Sequence, residues 1–226
     1  MSENNDIVGT VFGWVGSSIS LVFFIMPVIP FSKLIRGRLT YKEVPGILLI
    51  CSFLNCILWT NYGLNNDNFI VYFANSIGGT ITLIFITTFL IHFAERKILR
   101  SLLLNLALIG VVVGLSFLTY FVVSADVTGK IAMIFNILMY AAPGEKIYTV
   151  YKTGNYNLIP IFSTVAGLFC SACWLIFGIY QGDENIIIPN ALGVVFAILQ
   201  LVVYVIFKKK NKIIDDKKEE KNEDEE

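Results

Sequence analysis

The sequence predicts an all-α membrane protein of seven transmembrane helices. They form two parallel three-helix bundles joined by a linker helix, with the N-terminus outside and the C-terminus cytoplasmic. Three observations carry this expectation. The chain of 226 residues is 56% hydrophobic and only 15% charged, with a mean hydropathy of +0.72, where ordinary soluble domains carry about 25% charged residues. Seven continuous apolar runs, each close to the length that crosses a hydrocarbon core, are separated by short polar links. Sliding the chain against itself by 115 residues pairs Tyr41 with Tyr156, Pro45 with Pro160, Trp59 with Trp174, Gly63 with Gly178, Asn75 with Asn190 and Gly78 with Gly193. The balance of 17 basic and 17 acidic residues excludes a generally basic nucleic-acid binder.

The first run, 7–32, follows an acidic rather than basic N-terminal segment and is expected to stay as a span instead of being cleaved. With the runs at 44–64 and 69–93 it makes a first repeat over 7–93. The run at 99–123 contains none of the paired residues and is the expected linker. The runs at 128–151, 158–180 and 185–207 make a second repeat over 128–207. Three crossings would leave a directly following copy upside down, and the extra crossing restores its orientation. Unbroken apolar runs without alternation require helices rather than barrel strands. Residues 208–226, basic and then acidic, are predicted to be a disordered cytoplasmic tail.

Orientation follows from the basic residues. Sixteen of the seventeen lie in alternate links and the tail, among them Lys33, Arg36, Arg38, Lys42, Lys97, Arg100, Lys146 and Lys152, and only Lys130 lies on the other side. By the positive-inside rule the sixteen are cytoplasmic. The four cysteines, Cys51, Cys56, Cys170 and Cys173, fall inside apolar runs, which indicates neither a disulfide frame nor a zinc site. No metal site, nucleotide loop or catalytic triad is evident, so neither an enzyme nor a cofactor is expected.

Charged residues are missing from the depth of every run, which removes the usual means of ion coupling and points to a neutral solute. Asn75 lies six residues past Phe69, roughly 9 Å along its helix. Trp59 lies at nearly the same depth, and the same holds for Asn190 and Trp174. An uncharged amide and a flat aromatic face suit a sugar ring. One turn deeper on the tryptophan faces stand Asn55 and Cys170. Phe23 and Met139 lie four residues before the prolines of the first and fifth runs and could bound the same pocket. Pro27 and Pro143, which pair with a one-residue gap, join Pro45 and Pro160 on the cytoplasmic side, where each removes a backbone donor and permits a bend. These four are candidate hinges of an inner gate. Tyr62, Asp67 and Asp183 near the opposite loop tips are candidates for an outer gate.

These segments resemble a known family. MPVIPF and YAAPGEK stand in matching helices, VPGILLICSFLNCILWTNYG matches IPIFSTVAGLFCSACWLIFG, and YFANSIGG matches IIPNALGV. Together they are similar to the SWEET sugar transporters, also called the MtN3/saliva family, over residues 7–207. The resemblance implies a bidirectional uniporter that moves a neutral mono- or disaccharide by alternating access. It assigns sugar contact to Asn75 and Asn190, pocket shape to Trp59 and Trp174, and gating support to Pro27, Pro45, Pro143 and Pro160. Asn55 and Cys170 match pocket positions that vary with sugar size, and Asn55 departs from the small residue frequent there. The implied partners are the sugar and the lipid bilayer, with a homo-oligomer left open, and the expected location is the plasma membrane, with an endomembrane as the alternative. Two other readings share parts of this pattern. A PQ-loop amino-acid transporter has a related architecture, but the chain contains no Pro-Gln dipeptide. A seven-helix signalling receptor shares the topology but not the repeat.

Overall fold

The structure is a computed structural model that describes all residues except 1, 2, 45, 96, 140 and 224–226. Within the helices, the side chains of 3–6, 141–142, 212 and 214–223 are also outside the description. Seven helical spans are long and apolar enough to cross a membrane, and no strand occurs among the described residues. The chain is a multi-pass membrane protein.

The first span is built from α1 (Glu3–Ile25) and α2 (Val28–Ile35). Pro27 separates them because it has no N–H for the carbonyl of Phe23. That carbonyl instead accepts from Met26 N at 3.2 Å, in a bond shared with Val22 O at 3.1 Å. A 3-10 turn over Tyr41–Glu43 leads into the second span, α3 (Gly46–Asn65). The Thr40 N–H and hydroxyl both donate to Glu43 Oε2, at 2.7 and 2.9 Å. These bonds hold the Glu43 carboxyl below its ordinary pKa. The third span, α4 (Phe69–Phe93), starts where Asn68 accepts from Val71 N. The fourth is α5 (Ile98–Phe117), prolonged by a π turn over Leu118–Val122.

The second half repeats this plan. The fifth span comprises α6 (Ala125–Met139) and α7 (Ala141–Thr153), and a 3-10 turn at Tyr156–Leu158 precedes α8 (Ile161–Gln181). Pro160 is the N-cap of α8, and its carbonyl accepts from Thr164 N at 2.9 Å. The span ends on Gly182, whose φ of 66° supplies the left-handed residue that closes a helix. At the matching place in the first repeat Asp67 takes φ 51°. The bond Asp183 N to Gly178 O, 3.0 Å, is matched by Asn68 N to Gly63 O, 2.8 Å. The repeat therefore extends to backbone hydrogen bonds at equivalent turns.

The final helix, α9 (Glu184–Glu223), forms the seventh span and continues beyond it. Of the segment 208–226, expected as a disordered tail, residues through 223 are described as part of this helix. No Gly or Pro follows Gly193, Lys and Glu are strong helix formers, and an existing helix spares the tail the cost of nucleation.

In each bundle the third member stands between the other two: α4 packs on α1 and α3, and α9 packs on α6 and α8. The bundles meet along two equivalent seams, α1 against α8 and α6 against α3. Both seams rely on missing side chains. A Cβ on Gly13 would lie 2.7 Å from the Phe177 ring, and one on Gly129, the equivalent position, 2.5 Å from the Tyr62 ring. The linker α5 packs on α3 and α4 and turns residues such as Val113 and Phe121 to the lipid.

The π turn ties this linker to both halves. Its wider ring shifts carbonyls off the regular ladder. Asn61 on α3 donates to Ser116 O at 3.1 Å and to Thr119 Oγ1, while Thr128 on α6 donates to Thr119 O at 3.2 Å. Asn61 is buried, so Asn61→Leu removes its bonds and strands their partners at a cost of about 1–3 kcal/mol. We expect the thermal unfolding midpoint of the detergent-solubilised protein to fall by about 2–12 °C, while Val113→Leu on the lipid face leaves it unchanged.

Candidate functional site

A cavity of about 410 Å³ lies between the two bundles, within the range of about 300–1,000 Å³ usual for small-molecule sites. All spans except the linker contribute to its lining. Asn75, Asn190, Trp59, Trp174, Asn55, Cys170, Phe23 and Met139, singled out from the sequence, all face this one space. Among the described residues, no charged side chain lines it.

The two facing asparagines are held in the same way. Asn75 Nδ2 donates to Val71 O at 2.8 Å, and Asn190 Nδ2 donates to Ile186 O at 2.7 Å. Each bond uses one amide hydrogen and fixes the side chain against its own helix. The amide oxygen and the second hydrogen remain available to a guest. On the sixth span, Trp174 Nε1 donates to Ser20 Oγ at 3.0 Å. On the second span, Trp59 Nε1 and Asn55 Oδ1 are buried without a hydrogen-bond partner.

The two ends of the cavity differ. At the end carrying the 2–3 and 6–7 links, an apolar cluster crosses between the bundles, containing Trp59, Tyr62 and Val71 from one and Ala132, Phe177 and Ile186 from the other. Above it, Tyr62 OH donates to Asp183 Oδ2 at 2.8 Å and accepts from Asn185 Nδ2 at 3.3 Å. Asp67 stays exposed in its turn. This end is shut.

At the other end a second cavity of about 220 Å³ adjoins the first and shares Phe23, Pro143, Gly167 and Ser171 with it. Pro143 and Pro160 line this extension, and Pro27 sits at the break of the first span. Pro45 lies outside the described residues. The apolar core at this end, with Phe31, Leu34, Phe53 and Ile86, belongs to the first bundle and leaves the extension uncrossed.

Sequence reasoning missed Ser20, Phe24, Asn136, Gly167 and Ser171 in the lining. One signal was available: the 116-residue offset that pairs Pro27 with Pro143 also pairs Ser20 with Asn136 and Phe23 with Met139.

The family model described as "sugar efflux transporter for intercellular exchange", of the MtN3/saliva type, matches the chain twice, over 10–98 and 126–212. Bidirectional sugar transporter SWEET1a of Sorghum bicolor is 34% identical over 210 residues, covering 88% of this chain and 76% of its own. SWEET1 of Arabidopsis thaliana is 28% identical, with 89% and 84% covered. A solved eukaryotic SWEET transporter superposes with a TM-score of 0.79 at 23% identity, covering 92% of this chain and 100% of the other. On the twofold family match and the sequence relationship to these transporters, the chain belongs to the SWEET, or MtN3/saliva, family of sugar transporters.

Proposed function

We propose that the protein is a uniporter for an uncharged mono- or disaccharide, moving it down its gradient in either direction by exposing the central cavity alternately to the two sides. The observation that carries this reading is an uncharged ring of asparagines and tryptophans, shut at one end and extended at the other. Without a charged group in the lining there is no site to couple a proton or ion to the sugar. The curated relatives are named as bidirectional sugar transporters.

The distribution of basic residues supports an orientation with the Tyr62 end outside and the proline end in the cytoplasm, and with it the reading of this conformation as inward-facing. Asn75 and Asn190 grip hydroxyls and the tryptophans cover apolar ring faces. Phe23, Met139, Asn55 and Cys170 bound the guest. Tyr62 and Asp183 form the outer gate, with the prolines as hinges of the inner one. Neutral hydrogen bonds worth about 1 kcal/mol net each imply binding on the order of millimolar, which suits release on either side. The plasma membrane is the proposed location.

Radiolabelled glucose and sucrose uptake, with and without a proton gradient, tests the transport claim. Uptake of at least one sugar should persist after the gradient is collapsed, and loss of all uptake at that point would overturn uniport. Asn190→Ala should lower uptake about 5- to 30-fold, the equivalent of 1–2 kcal/mol. A wild-type rate in that variant would remove the asparagine from the site.

A second prediction concerns the outer gate. Tyr62→Phe removes the bond to Asp183, and Gly129→Ala places a Cβ 2.5 Å from the Tyr62 ring and 2.8 Å from Asn185 Nδ2. Both weaken the outwardly shut state, and each 1.4 kcal/mol shifts its population by about tenfold. Labelling of Cys170 by a membrane-impermeant maleimide added outside, with the other three cysteines changed to Ala, should accelerate several-fold in both variants. Unchanged labelling would show that neither contact holds the gate.

A further inference from the structure

The two walls of the cavity are equivalent by the repeat but not by chemistry. Ser20, Cys170 and Trp174 form one wall, on the first and sixth spans. Their equivalents on the fifth and second spans are Asn136, Asn55 and Trp59. On the first wall every polar group is engaged. Trp174 Nε1 donates to Ser20 Oγ at 3.0 Å, the Ser20 hydroxyl donates to Gly16 O at 2.9 Å, and Cys170 Sγ lies 3.3 Å from Ser20 Oγ.

On the second wall none of these bonds exists. Trp59 Nε1 and Asn55 Oδ1 are buried without a partner, although Trp59 and Asn55 are only 5% and 9% exposed. Asn136 lines the cavity half-buried, and its side chain forms no hydrogen bond among the described residues. Orphaned polar groups of this kind are costly, so each favours any state or guest that supplies a partner. The terminal torsion of an asparagine is soft, so Asn55 and Asn136 can turn their amides toward an arriving hydroxyl at little cost.

We propose that Asn136, with Asn55 and Trp59, forms the wall that reads the hydroxyl pattern of the sugar, while the internally satisfied wall of Ser20, Cys170 and Trp174 takes its less polar face. Asn136 is then a specificity-determining residue, and the guest sits in one orientation despite the pseudo-symmetric frame. This rests on the sugar-transport reading above and adds to it which wall discriminates between sugars.

The test is competition against radiolabelled glucose by a series of glucose analogues, each lacking one hydroxyl, with uptake normalised to the amount of protein in the membrane. Wild type should bind at least one analogue about 5- to 30-fold more weakly than glucose. Asn136→Leu should narrow this ranking, erasing the penalty of at least one analogue while those that lose a hydroxyl held by Asn75 or Asn190 stay weak. Asn136→Ser should narrow it in the same way, because serine is the residue that engages Trp174 on the other wall. Ser20→Ala should keep the wild-type ranking whatever its effect on rate. An unranked wild type, an Asn136→Leu or Asn136→Ser variant with the wild-type ranking, or an equal change in Ser20→Ala would overturn the assignment. Absence of glucose and sucrose uptake in the wild type would instead overturn the transport reading itself, so the two failures are distinguishable.

Discussion

Helices in lipid gain little from burying apolar surface against one another, because the surrounding chains are equally apolar, and shape fit must hold them together. Here that fit comes from small residues set against rings. Gly13 receives Phe177, and its equivalent Gly129 receives Tyr62. Gly16 approaches Trp174 in the same manner, and Ala132, fully buried, shares a cluster with Trp59. The rest of the site depends on these seams. They bring the tryptophans of the second and sixth spans inward, shut one end of the cavity and leave the asparagines of the third and seventh spans facing each other across it.

The two bundles share one helical plan. Chemistry departs from the repeat in the walls of the cavity between them. Ser20 and Cys170 are replaced by Asn136 and Asn55 on the opposite wall, which turns a closed hydrogen-bond network into one with unused donors and acceptors. The backbone keeps its repeat where turns are made, even to the left-handed residues Asp67 and Gly182.

Much of this was legible in the sequence because lipid imposes long, countable apolar runs, and a rigid 115-residue offset marks the duplicated tryptophans, asparagines and prolines. All eight proposed pocket residues came to one cavity for that reason. Asn136 was hidden because the first and fifth spans pair at 116 rather than 115, and a Ser–Asn pair does not look like a match. The engagement of Trp174 and the isolation of Trp59 were not legible, since a one-dimensional period carries no information on side-chain partners.

The π turn of the fourth span has a mechanical consequence. Its Thr119 and Tyr120 carbonyls are held by Asn65 from the second span and the Thr119 carbonyl also by Thr128 from the fifth, while Asn61 holds the Thr119 hydroxyl and the preceding Ser116 carbonyl. Sliding those two spans apart at this end therefore strains three helices together. The seam between the first and sixth spans meets there through Gly9 on Tyr180 and Gly13 on Phe177, with its hydrogen bonds further along, from Trp174 Nε1 to Ser20 Oγ and from Cys170 Sγ to Gly16 O. A connector that looks like a mere spacer in the chain thus staples one of the two equivalent seams and gives two otherwise twin halves unequal edges.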